Sequence, residues 1–301
     1  MSPREVRVRA FAKINLDLRV LFKRTDGFHE LRTVFQTVSL ADRISIRYRL
    51  SDQLRISVSG TVEIADNIMA RAARLVMSEL EASGEIDFDL EKRIPMGAGL
   101  GGGSSDAAAV LLALPALVGR RLPLERLHSL ASQLGSDVPF FLYGGTAFGI
   151  GRGEEIYPAP ERKCKYALLA ASGVHVSTAE AYGLLSAALD PSAVPAKLQE
   201  FVRAAWAPSF LDVANDFEPP VFQAHPQLAE IRASLEAHGA LCARMTGSGS
   251  ALFGLFPDAA KRHAARRALP SVRTYPVSFV DRKAYRRAWA KDLSVSGLSR
   301  A

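Results

Sequence analysis

Sulfur is nearly absent: Cys164 and Cys242 are the only cysteines in 301 residues, and they lie far apart in the chain. Two such residues can form neither a disulfide framework nor a cysteine-built metal site, so reduced thiols are expected. No apolar run is long enough to cross a bilayer. The basic opening MSPREVRVRAFAK is followed by no apolar core of a secretory leader. A membrane partner is therefore not expected, and the cytoplasm is the expected location. Acidic residues are missing from one stretch. Residues 261–291 carry ten Lys or Arg against the single acid Asp281, a local charge of +9 in a chain whose total is +7. A basic stretch can draw in nucleic acid. This one is without the aromatic interleaving of a single-strand platform, and reads as a solvated helix face and tail.

What is present is ordinary for a folded core: 48% hydrophobic and 23% charged residues. The first fifty residues alternate or run apolar, predicting strands over Val6–Ala12, Ile14–Leu21, Leu31–Leu40 and Ile44–Leu50, with a shorter candidate at Leu54–Val58. From Asn67 the spacing of Ile68, Ala72, Leu75, Val76 and Leu80 becomes helical. A strand at Phe88–Lys92 leads into a glycine-dense loop. An Ala/Leu/Val helix from about Ser104 to Val118 follows, with Pro115 expected to kink or shorten it, and then a helix over Leu124–Leu134. Recurrent glycines at 144–153, followed by Pro158 and Pro160, place a domain boundary there, giving 1–157 and 158–301. The second half reads as a strand at Tyr166–Ala171 and a helix from Thr178, capped by Ser177 or Thr178. A helix at Pro226–His238, strands at Leu241–Met245 and Ala251–Phe256, a helix at Asp258–Leu269 and a strand at Val272–Val280 complete it. Residues after Asp281 read as an appended tail, partly helical at best. The order of elements predicts an α+β fold of mainly antiparallel sheets with helices covering one face of each.

The strongest local signal is Pro95-Met96-Gly97-Ala98-Gly99-Leu100-Gly101-Gly102-Gly103-Ser104-Ser105, running straight into a helix. Glycines let the backbone turn left-handed and bring main-chain N–H groups up to a ligand. The helix start adds orphan N–H groups and a partial positive charge, so loop and helix together suit phosphate. Ser104 and Ser105 add hydroxyls, as donors or as a metal-facing oxygen. No Gly-Lys-Ser/Thr follows the glycines, which excludes a Walker loop. The loop also comes after several strands and a helix, not in a first strand–helix unit, which argues against a dinucleotide fold.

PMGAGLGGGSSDAA resembles the phosphate-binding motif of the GHMP superfamily of small-molecule kinases. Phe11-Ala12-Lys13-Ile14-Asn15-Leu16 resembles its N-terminal substrate strand, and Leu134-Gly135-Ser136-Asp137-Val138-Pro139 its catalytic-acid segment. Met245-Thr246-Gly247-Ser248-Gly249-Ser250 resembles its third glycine-rich motif. The segments Arg24–Leu31, Asp66-Asn67, Val176–Tyr182 and Asn215–Glu218 are similar to the branch that acts on a diphosphocytidyl methylerythritol alcohol.

The resemblance implies a two-lobed fold with the active-site cleft between the lobes, and a kinase using ATP with Mg2+ on a small-molecule alcohol. It implies that Lys13 and Asp137 flank the acceptor hydroxyl, Asp137 taking its proton and Lys13 stabilising the developing alkoxide. It puts the ATP phosphates on Pro95–Ser105 and adenine near Asn67 and Lys92. For the substrate it implies cytosine stacked on Phe28 with Tyr182 opposite, His29 on the base edge, Asn15 on the methylerythritol or phosphate portion and Thr178 on the methylerythritol end. Members of that branch often carry tyrosine where this chain has Phe28, so the ring face is kept and a hydroxyl lost. Two other readings compete. A GHMP kinase for a mevalonate derivative, homoserine or a sugar would need no cytidine contacts. A non-enzymatic nucleotide- or RNA-binding module would need neither Lys13 nor Asp137.

Overall fold

Two long strands open the chain and supply core to both of its halves. The computed structural model describes residues 3–186, 189–206, 210 and 212–294. Strand β1 spans Arg4–Lys23 and β2 spans His29–Arg49, paired antiparallel along nearly their whole length. The sequence pattern divides each into two strands. In the structure they are continuous because irregularities in register, between Phe11 and Lys13 and between Asn15 and Asp17, absorb the interruptions without ending the ladder. The first half continues through β3 (Arg55–Gly60), α1 (Ile68–Glu79), β4 (Glu85–Glu91), α2 (Gly102–Val118), α3 (Leu124–Leu134), α4 (Phe140–Tyr143), β5 (Thr146–Ile150) and β6 (Glu155–Pro158). Its sheet runs β3-β4-β2-β5-β6 with β1 also on β2, antiparallel except for the parallel β3–β4 pair.

Helix α2 is apolar all round, and it is buried accordingly against α1, α3, β1 and β2. Pro115 does not shorten it. The proline falls in the last turns, and the helix runs on to Val118, where Gly119 ends it at φ +84°.

The second half comprises β7 (Tyr166–Ala171), α5 (Thr178–Ser186), α6 (Val194–Trp206), α7 (Glu218–Ala224), α8 (Pro226–Ala237), β8 (Cys242–Met245), β9 (Leu252–Phe256), α9 (Ala259–Arg267), β10 (Arg273–Val277) and α10 (Arg282–Ser294). Its sheet order is β10-β7-β9-β8, antiparallel throughout. The expected α+β, two-lobed architecture is the one found. The tail after Asp281 is not an appendage, however. It forms α10, whose Tyr285 and Trp289 are buried in the core of the first half. The apolar signal was carried by only two large side chains among many cations. Cys164 and Cys242 are both free, and no described helix is long and apolar enough to cross a membrane.

Residues 10–21 of β1 are buried without a break. Alternation sends Ala12, Ile14 and Leu16 into the apolar cluster that joins the two sheets, while Lys13, Asn15, Asp17 and Arg19 form a buried polar row. Asp17 is fully buried. It takes Arg19 Nε at 3.2 Å and the Ala214 N–H at 2.7 Å, and Arg19 reaches Glu200 at 2.6 Å. Burial pushes the Asp17 carboxyl up from 3.8 to about 6, against the pull of Arg19. The folded protein therefore holds this proton more tightly than the unfolded chain does. Stability falls as pH rises from about 4 to about 6, by on the order of 3 kcal/mol from this group. Urea unfolding of wild type and Asp17→Asn at pH 4.5 and pH 7 is expected to show the stability gap between them narrowing at the higher pH. A gap that widens would contradict the raised carboxyl.

Candidate active site

A cavity of about 860 Å3 opens between the two halves, lined by residues from β1, the β1–β2 turn, the glycine loop, the α3–α4 turn, the start of α5 and the β8–β9 turn. Lys13 projects into it from β1 with only 2% of its surface exposed. A buried ammonium needs close partners. Its Nζ donates to Asn15 Oδ1 at 2.7 Å and lies 3.2 Å from Asp137 Oδ2. Asp137 comes from the turn between α3 and α4 and keeps 35% of its side chain exposed, so the carboxylate faces both Lys13 and the cavity. Asn15 is fixed in turn, donating to Thr33 Oγ1 at 2.8 Å while its own N–H donates to Thr246 Oγ1 at 3.0 Å.

The glycine loop is held from both sides. Gly97, Gly99 and Gly101 all have positive φ, at +65°, +73° and +69°. From β1, the Lys13 N–H donates to Leu100 O at 3.0 Å. From the second half, the Ala251 N–H donates to Ala98 O at 3.2 Å and Thr246 Oγ1 to Gly99 O at 3.3 Å. A Cβ on Gly99 would stand 2.2 Å from the Thr246 carbonyl oxygen, so only glycine permits this approach. Helix α2 begins at Gly102, two residues before the predicted start, which puts Ser104 and Ser105 in its first turn. Ser104 lines the cavity, and Ser105 Oγ is buried with no hydrogen-bond partner.

Phe28, His29 and Tyr182 gather on the cavity wall with Thr178. Phe28 is 52% exposed, with the Arg152 guanidinium 4.7 Å over its ring. His29 stacks on Tyr182 at 4.6 Å, and its Nε2 lies 3.2 Å from Ser186 Oγ. Phe217 meets Tyr182 edge-on at 4.9 Å. Burial and the Lys23 charge lower the His29 pKa, favouring neutral imidazole. Burial, reinforced by Asp137, lifts the Tyr182 phenol to about 12. Thr178 Oγ1 lies 3.4 Å from Ser248 Oγ. The cavity thus brings together Lys13, Asn15, Phe28, His29, Gly97, Gly99, Ser104, Asp137, Thr178 and Tyr182. It also brings in Arg152 and His175, neither singled out in the sequence, and Ser248 of the third glycine-rich motif, whose Thr246 bonds the loop alongside. The continued alternation past Lys13 and Asn15 was the signal that could have found Asp17 and Arg19.

Asn67 and Lys92 do not line this cavity. Asn67 caps α1, its Oδ1 accepting the Met69 N–H at 2.9 Å. Lys92 Nζ sits 2.5 Å from Asp42 Oδ2 and 2.6 Å from Asp106 Oδ2, nearly excluded from water. Asp42 also accepts the N–H groups of Arg93 and Ile94 at 2.6 and 2.8 Å. The three side chains therefore tie the entry of the glycine loop to the first turns of α2. Burial, opposed by Lys92 and reinforced by Asp42, pushes the Asp106 carboxyl up to about 8.

Comparison with known proteins places the chain in a family. Residues 67–145 match the GHMP kinases N terminal domain and residues 193–272 the GHMP kinases C terminal domain. A homoserine kinase from Cytophaga hutchinsonii shares the fold at 18% identity, with a TM-score of 0.74 over 92% of this chain and 95% of that one. The class is thus that of the GHMP kinases. A 4-diphosphocytidyl-2-C-methyl-D-erythritol kinase from Solibacter usitatus is 51% identical over 298 residues, 97% of this chain and 94% of the relative. One of the same name from Acaryochloris marina is 39% identical over 84% of this chain and 88% of its own length. A crystal structure of 4-(cytidine 5'-diphospho)-2C-methyl-D-erythritol kinase is 37% identical, with a TM-score of 0.75 over 91% of this chain and 98% of that one. The chain belongs to the 4-diphosphocytidyl-2-C-methyl-D-erythritol kinase family.

Lys92→Met would leave the buried carboxyl groups of Asp42 and Asp106 without their amine. Removing one partner of a buried ion pair costs about 3–5 kcal/mol, and urea unfolding is expected to show a loss of that size. A variant as stable as wild type would show that Lys92 is not needed to brace the loop.

Proposed function

We propose that this protein transfers the terminal phosphoryl group of ATP to the 2-hydroxyl of 4-diphosphocytidyl-2-C-methyl-D-erythritol, giving ADP and the 2-phosphate in non-mevalonate isoprenoid precursor synthesis. The observation that carries the reading is the meeting of Lys13 and Asp137 at 3.2 Å in the wall of a cavity that also holds the glycine loop. Phosphoryl transfer demands an acceptor oxygen placed in line and stabilisation of charge, with little covalent work for the protein. In this reading Asp137 accepts the hydroxyl proton, and Lys13 stabilises the oxygen as charge develops on it. The loop Pro95–Ser105, through its main-chain N–H groups from Met96 onward, and the start of α2 cradle the phosphates.

Phe28 offers the cytosine a ring face, with Arg152 beside it, and His29 reads the base edge from its place against Tyr182. Asn15 and Thr178 take the methylerythritol portion. Asn67 and Lys92 remain assigned to the adenine side, Lys92 through the loop it braces. We take ATP to be bound with Mg2+. No cluster of three or more His, Cys, Asp or Glu suited to a metal exists among the described residues. The ion would be held by the nucleotide phosphates, with the hydroxyl of Ser104 or Ser105 as the candidate protein ligand, and it would neutralise phosphate charge. We also read residues 1–157 and 158–301 as two domains, each built on one of the sheets, and place the enzyme in the cytoplasm, where ATP is supplied.

Purified protein with ATP, Mg2+ and the diphosphocytidyl alcohol is expected to yield ADP and a singly phosphorylated product. CMP and CDP should compete with the alcohol; a kinase for homoserine or mevalonate would show no such competition. Asp137→Asn is expected to lower kcat by about 10²–10⁴-fold while its circular dichroism stays that of the folded protein. Turnover near the wild-type rate in that variant would reject Asp137 as the base.

A further inference from the structure

The last described helix lies beyond both matched domains, which end at residue 272, yet it returns to the first half of the chain. The return is stitched down before the helix begins. The Val280 N–H donates to Thr37 O at 2.9 Å, and Gln36 Nε2 donates to Val280 O at 3.2 Å. Arg282 pairs with Glu161 at 3.1 Å and donates to the Thr146 carbonyl. Asp281 then caps α10, its Oδ1 accepting the Ala284 N–H at 2.6 Å. At the far end, Asp292 holds Arg9 of β1 by an ion pair of 3.1 Å and accepts the Arg9 N–H at 3.2 Å.

Between these anchors Tyr285 reaches α4, the short helix that follows the turn bearing Asp137. Its hydroxyl donates to the Phe141 carbonyl at 2.5 Å, and the side chain is 2% exposed. The Phe141 carbonyl belongs to α4, a helix of only four residues, whose final carbonyls have no helical partner of their own. The Gly144 N–H takes that of Phe140 at 3.0 Å, and Tyr285 takes that of Phe141. The tyrosine ring also fills the space where Gly144 lacks a side chain: a Cβ there would lie 2.4 Å from it.

Phe141 carries the contact inward. Its N–H donates to Val138 O at 3.1 Å, one residue after Asp137. Its ring edge and Lys13 Cγ flank Gly101, each 2.9 Å from where a Gly101 Cβ would be. One buried phenylalanine thus touches the loop that precedes α2 and is hydrogen-bonded to the turn that carries the carboxylate. A fixed Phe141 fixes both relative to Lys13.

We propose that Tyr285 is a positioning residue for phosphoryl transfer, setting the Asp137 turn against Lys13 and the glycine loop through the Phe141 carbonyl. The inference rests on the reading of Asp137 as the base. It adds that α10, outside the matched domains, is part of the apparatus that orients the base. Orientation errors of about 1 Å can cost on the order of 10²-fold in rate, so loss of a single hydroxyl anchor should cost kcat and leave ligand affinity alone.

The test uses the full-length protein and three variants. Tyr285→Phe keeps the ring and removes the hydroxyl. Asp292→Asn loosens the other end of α10 without touching Phe141. Asp137→Asn reports separately on the base. Each is assayed for kcat and for KM of both substrates, with the folded fraction at assay temperature measured by circular dichroism. Tyr285→Phe is expected to lower kcat about tenfold with both KM values within about twofold, and Asp292→Asn to lower Tm while keeping kcat. The inference is overturned if Tyr285→Phe keeps wild-type kcat, or if both α10 variants change kcat alike. An active Asp137→Asn would instead reject the underlying assignment of the base.

Discussion

An ammonium and a carboxylate, 3.2 Å apart in the wall of the cleft, are the interaction on which the rest of the molecule turns. Lys13 is almost wholly buried on a strand that both halves of the chain use as core, and a charge placed there is tolerated only with partners held in place. Asn15 supplies one and Asp137 the other. Asn15 is itself held by Thr33 and Thr246, so the pair is oriented by groups from β2 and from the β8–β9 turn as well as from its own strand. Any shift of one half against the other would be felt at this amine.

The glycine loop obeys the same constraint. Its backbone is gripped by Lys13 on one side and by Thr246 and Ala251 on the other, through contacts so close that Gly99 admits no side chain. Beneath it, Lys92 with Asp42 and Asp106 ties the two ends of the loop together in a nearly dry setting. In the role proposed for it, a phosphate cradle of main-chain N–H groups, the loop works only if those groups do not need to reorganise when the charge arrives. The close packing from both halves provides that rigidity, and it explains how a loop rich in glycine can be an ordered site.

Much of this was legible in the sequence because the relevant features are local. A run of glycines opening an apolar helix announces an anion site, and the alternation in AKINLDLR announces a strand with a polar row. Lys13 and Asp137 took on meaning only through the resemblance of four segments, since nothing in their spacing brings residues so far apart together. Asn67 and Lys92 were placed on the adenine side by that same resemblance alone, and the contacts the structure gives them are a helix cap for one and a buried triad for the other. The triad joins residues over distances in sequence that no local pattern encodes. Helix α10 was missed for a related reason: Tyr285 and Trp289 are its only large buried side chains, and the charges around them dominate the composition.

The central claim is spatial, and a structure of the ternary complex tests it most directly. With a non-hydrolysable ATP analogue and the diphosphocytidyl alcohol bound, the account predicts the acceptor hydroxyl within about 3 Å of the Asp137 carboxylate and in reach of Lys13. The γ-phosphate should lie in line beyond that hydroxyl, above the glycine loop. An acceptor hydroxyl found away from both side chains, with the nucleotide bound elsewhere than on the loop, would contradict it.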